Sequence, residues 1–144
     1  MGYGQITNYN FAASAVTYAD ITGGTTIVAA GTAAGAASTV RPIGFTFNYL
    51  GQNYTGFSVN SAGLLKLNFG TTAPFSTAVT TENANNPISA TNLACLYPWW
   101  DATYTGSVAS GGGVSYLLTG TAPNRVLTVQ WNLSYTSNGT AGVK

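Results

Sequence analysis

The chain has 144 residues, of which 5% are charged against about 25% in an average soluble domain, so its polarity is carried by 22 threonines, 13 asparagines and 18 glycines. Four basic residues (Arg41, Lys66, Arg125, Lys144) face three acids (Asp20, Glu82, Asp101), a balance that cannot draw in phosphate and argues against nucleic acid as a partner. One cysteine, Cys95, and no histidine exclude an internal disulfide and the usual zinc sites, so neither a metal nor another cofactor is expected.

From the N-terminus, "MGYGQITNYN" lacks the basic start and hydrophobic stretch of a signal peptide, and no run has the apolar length that crosses a bilayer, so membrane insertion is not expected. Residues 1–7 read as an N-terminal extension and 8–144 as one domain, long enough to bury roughly two thirds of its unfolded surface. "NYNFA" and "TTIVAA" read as strands separated by "ADITGG". The clearest period-2 pattern follows: Phe45, Phe47 and Tyr49 alternate with polar residues, "LGQ" turns the chain, and Phe57 and Val59 continue the apolar face. "NSAG" then turns it again into a strand bearing Leu65, Leu67 and Phe69. Residues 70–90 lose the alternation and read as a long surface excursion, whereas "NLACLYPWW" (92–100) reads as a strand buried on both faces. Val114, Tyr116 and Leu118 mark one more strand after the "SGGG" loop. "TGTAPN" then turns into Arg125 to Tyr135, where Leu127, Val129, Trp131 and Leu133 share a face. The sum is an all-β fold: an antiparallel β-sandwich, Ig-like or jelly-roll-like, of about seven to eight strands with long polar loops.

After Tyr135 come the turn "TSNG" and five residues, "TAGVK", too few by length to form a strand along the one before. The sandwich is therefore expected to be incomplete at its C-terminal end and completed by a neighbouring chain or module, since an open edge with a hydrophobic face is a template for another strand. Val129, Trp131 and Leu133 would form the receiving edge, and the stretch "GQITNYNFAAS", with Tyr9 and Phe11 on one face, is a candidate donor. The competing reading is that the chain is a piece of a longer protein.

The succession "YADITGGTTI", "IGFTFNYLGQNYTGFSVNSAGLLKLNFG", "NLACLYPWWD" and "VSYLLTGTAPNRVLTVQWNLSY" resembles a β-sandwich module of secreted and cell-surface proteins of Bacteroidota, many of which are similar to type IX secretion substrates. A looser similarity is to nidogen-like extracellular domains. The resemblance spans about Asn8 to Tyr135, and it implies an extracellular, non-enzymatic, adhesive or structural module. Relatives tend to carry two acids after the tryptophan where "WWDATY" has only Asp101, so the resemblance implies no cation site here.

Two readings of "YPWWD" stay open. Alternation puts Trp99 and Trp100 on opposite faces, so one enters the core while the other packs outward or under the "SGGG" loop; alternatively the outward ring, with Tyr97 and Tyr104, stacks on a sugar. Asp101 more simply caps the loop "ATYTG". Catalysis has no support, because the three acids are scattered and Cys95 has no histidine partner and reads as a small core residue. The sequence thus points to a structural or adhesive extracellular β-sandwich. It would assemble with copies of itself, or with adjacent modules of a surface protein, into a filament or array through edge strands. A carbohydrate-binding module is the alternative, with glycans as partners.

Overall fold

The protein is described by a computed structural model over residues 12–30, 32, 36–49, 51–61, 63–68, 94–98, 105–107, 113–132, 134–137 and 140–143, with the backbone alone for 105–107, 134–137 and 140–143. These residues form ten strands and no helix: β1 (Thr25–Val28), β2 (Arg41–Tyr49), β3 (Gln52–Val59), β4 (Leu65–Asn68), β5 (Cys95–Leu96), β6 (Thr105–Ser107), β7 (Gly113–Thr121), β8 (Asn124–Asn132), β9 (Ser134–Ser137) and β10 (Thr140–Val143). All pairings are antiparallel. A three-stranded sheet runs β1-β7-β8, a four-stranded sheet runs β2-β3-β4-β5, and a small third sheet runs β10-β9-β6.

The first two sheets make the sandwich, and their seven strands agree with the expected all-β architecture. Alternation decides which side chains meet between them. From the four-stranded sheet it brings in Ile43, Phe57, Val59, Leu65 and Leu67, all buried; Val28 and Val114 are buried opposite them, and buried Tyr54 with the partly buried Tyr116, Leu127, Val129 and Trp131 belongs to the same cluster. Phe57 and Tyr116 meet edge to face across the layers, centroids 5.2 Å apart at 77°, the geometry favoured by aromatic quadrupoles. A satellite cluster forms where Ala37, Cys95 and Tyr97 pack on fully buried Leu64.

Several of the polar groups inside bond to one another or to main chain. Asn60 is fully buried: its N–H donates to the Leu64 carbonyl at 3.0 Å, its Oδ1 accepts from the Leu64 N–H at 3.0 Å, and its carbonyl accepts from Trp131 Nε1 at 2.9 Å. The segment Ala36–Ser38 lies alongside, with Ser38 N–H donating to the Val59 carbonyl at 2.8 Å and Ser61 N–H to the Ala36 carbonyl at 3.0 Å. Ser58 Oγ donates to Asn68 Oδ1 at 3.0 Å on the face of β3 opposite Phe57.

Three expectations are corrected. The run 92–100 is not one doubly buried strand: within its described part only Cys95–Leu96 pairs, at a sheet edge, with Leu96 36% exposed. Pro98 lacks the N–H that a longer ladder needs. Four of the last five residues do form a strand, because Thr140–Val143 pairs with Ser134–Ser137 in continuous register on either side of the Asn-Gly of the sequence, the dipeptide most prone to two-residue hairpins. Finally, Arg125 to Tyr135 is not one strand, for β8 pairs with β7 while β9 joins the third sheet together with Thr105–Ser107, part of the supposed "ATYTG" loop.

Candidate functional site

Of the aromatic residues considered for sugar stacking, Tyr97 alone is described. It is half-buried against Leu64 beside Cys95. Trp99, Trp100 and Tyr104 lie outside the described residues, as do Asp101 and Glu82. Cys95 is half-buried, in no disulfide among the described residues, and packs on Leu64. Among the described residues no three His, Cys, Asp or Glu side chains gather, and no helix is long and apolar enough to cross a membrane.

The proposed assembly edge divides similarly. Tyr9, Phe11 and Leu133 lie outside the described residues. Val129 and Trp131 sit on β8, half-buried against the core. β8 pairs with β7 through nine consecutive residue pairs without a bulge, and on its other side no strand lies among the described residues. Next to it an apolar groove of about 360 Å³ opens between the sheets, lined by Phe45 and Phe47 of β2, Leu96 of β5, and Val126, Leu127 and Val129 of β8. Val126 is 55% exposed there.

The other long edge, β2, is built differently. It contains Pro42, its register against β3 slips between Pro42 and Phe47, and Gly44 at the slip has φ +85°. That backbone conformation favours glycine, and a Cβ there would have to push the end of the Leu118 side chain aside. Arg125 closes the same place, its guanidinium donating to the Gly44 carbonyl at 2.7 Å and lying 5.4 Å from the Phe45 ring centroid. Proline, a bulge and a capped carbonyl are the usual ways to blunt an edge, and β8 has none of them.

A third feature lies on the outer face of the β1-β7-β8 sheet. Gln130, half-buried, gathers the segment before β1: its Oε1 accepts from the Ile21 N–H at 2.7 Å, and its Nε2 donates to Tyr18 OH at 2.8 Å and to Asp20 Oδ1 at 2.5 Å. Tyr18 OH also donates to Asp20 Oδ1 at 2.8 Å. That bond first, then desolvation and the carboxylate's charge, raises the Tyr18 pKa above its ordinary value near 10. A phenol raised in this way keeps its contact below the ordinary value and loses it as pH rises through the raised one. Asp20→Asn is expected to bring the Tyr18 titration back down, read as tyrosinate absorbance against a Tyr18→Phe reference.

None of this cluster was anticipated as a site. The one signal in the sequence is that Thr128, Gln130 and Asn132 alternate with Leu127, Val129 and Trp131, which marks a polar outer face without saying what crosses it.

A family model described as NIDO related matches residues 8–144. No curated protein and no solved structure matches the chain significantly.

Proposed function

The chain belongs to the NIDO-related family, and on that premise we propose that it is a non-enzymatic structural or adhesive subunit outside the cell that self-associates by strand addition, with a second copy as its partner. Membership supports an extracellular-type β domain, and the likeness of the quoted segments to modules of secreted Bacteroidota proteins supports a cell-surface setting. The observation that carries the self-association is the contrast between the two long edges: β2 is blunted by Pro42, its bulge and Arg125, whereas β8 is nine residues long, regular and unblunted. An added strand would gain main-chain bonds from β8, and alternate side chains would enter the groove beside it. A formal net charge of +1 opposes such stacking little.

Counted from the pair Thr121↔Asn124 that closes the two-residue β7–β8 turn, the N–H of Val129 falls on the side away from β7. Val129→Pro should therefore remove a donor from the open edge while leaving the β7 ladder intact. Concentrated wild-type protein is expected to give regular filaments or higher oligomers by electron microscopy and light scattering, and Val129→Pro to stay monomeric with an unchanged far-ultraviolet spectrum. Val126→Lys, a change at an exposed position, should act in the same direction and guards against misfolding of the proline variant. A wild-type chain that remains monodisperse at high concentration would sink the proposal.

A further inference from the structure

We propose that the outer face of the β1-β7-β8 sheet carries a shallow binding site for a neutral saccharide, formed by Asp20, Thr26, Ser115 and Asn132, positioned by Gln130 and rimmed by the ring of Tyr18. This site uses the outer face of the sheet and not the main-chain edge of β8, and it does not depend on self-association.

The floor follows from register. Thr26 stands opposite Ser115 and Ser115 opposite Gln130, so three polar side chains form a row across three strands. Asn132, two residues beyond Gln130, shares that face and stands opposite Gly113, which also lines the cleft. Asp20 and Ile21 supply the wall, and together these residues enclose a cleft of about 220 Å³, the scale of one sugar ring. Gln130 uses its carbonyl and both amide hydrogens to hold the wall, so the cleft is preorganised before any ligand arrives.

What remains unused defines the ligand. Asp20 Oδ1 takes both bonds offered to that carboxylate, and Asp20 Oδ2 has no hydrogen-bond partner among the described residues. Nor have the Thr26 and Ser115 hydroxyls or the Asn132 side-chain amide. The cleft therefore presents a carboxylate acceptor, two hydroxyls and an amide on short side chains, which lose little rotamer freedom when they are engaged. No cationic side chain lines it, so it opposes anions, and its single carboxylate is poorly suited to a divalent cation, which prefers several oxygen ligands. Mixed donors and acceptors suit adjacent sugar hydroxyls. Tyr18 is 72% exposed, and its ring offers the apolar surface on which the C–H face of a pyranose rests.

The direct test is amide chemical-shift mapping of the full chain titrated with the methyl glycosides of glucose, galactose and mannose. Saturable shifts of Ile21, Thr26, Ser115, Gln130 and Asn132 are expected with at least one of them, with a Kd on the order of 1 mM for a single ring in an open site. Asn132→Ala and Asp20→Ala should each weaken that binding about tenfold or more, as loss of a hydrogen bond from a preorganised group does. Both positions are exposed, and retained shift dispersion will show that the fold is intact. Three results would overturn the proposal: no saturable shifts with any glycoside, shifts centred elsewhere, or stronger, salt-suppressed binding of a primary amine such as N-acetyl-lysine methyl ester. The last would reassign the cleft to cationic ligands.

Discussion

Phe57→Ala is expected to lower the stability of the fold by about 3–5 kcal/mol, the range for truncating a large buried aromatic. Phe57 is fully buried in β3, and its contact with Tyr116 joins the two sheets. Alanine would remove the transfer free energy of the ring and leave a cavity between layers that two hydrogen-bonded sheets cannot readily collapse to fill. Against a total stability of about 5–15 kcal/mol for a typical domain, this is a large fraction. Equilibrium urea unfolding should show a lower midpoint with an unchanged slope. A loss below about 1 kcal/mol would mean that the sheets do not meet at Phe57, since that is less than a buried methylene or two contributes.

The second large effect is expected at Asn60, and it acts through polar chemistry. Asn60→Ala should cost about 2–3 kcal/mol, because the Leu64 N–H loses its acceptor in a place that water does not reach, and an unsatisfied buried donor carries its full desolvation cost. The damage should extend beyond one bond. The same turn presents the Asn60 carbonyl to Trp131 Nε1 and pairs with Ala37, so loosening it disturbs both β8 and the strap over β3. Hydrogen exchange should speed at Leu64 and Ser61 first. Unchanged protection at Leu64 would show that the side-chain bond is not what orders the turn.

Period-2 alternation made most of the sandwich readable in the sequence. Phe57 with Val59, Leu65 with Leu67, Val114 with Tyr116, and Leu127 with Val129 and Trp131 each lie on the side that alternation assigns them, because one face of each strand must leave water and the period leaves no other choice. The third sheet was not legible in the same way. Thr105–Gly106–Ser107 has no apolar pattern of its own, and it is a strand because Ser134–Thr136 lies beside it, a case in which pairing overrides local preference. The β9–β10 hairpin carried a readable mark, Asn138-Gly139, which chain length alone obscured. The outer-face cluster could not be found by pattern, since Gln130 reaches Tyr18 and Asp20 across 112 and 110 residues. Asn60 had the composition of a surface turn; its burial depends on Ala36–Ser38 arriving from elsewhere in the chain.

The fastening of the β7–β8 tip to the opposite sheet has a bearing on where such a protein can work. Arg125 finds a peptide carbonyl and an aromatic face at Gly44 and Phe45, and neither partner can take up a proton in the ordinary range. A guanidinium held by a carboxylate would let go when the acid is neutralised. Held by a dipole and a ring, this one has no titrating partner, so the fastening beside the apolar groove does not depend on the charge of a carboxylate.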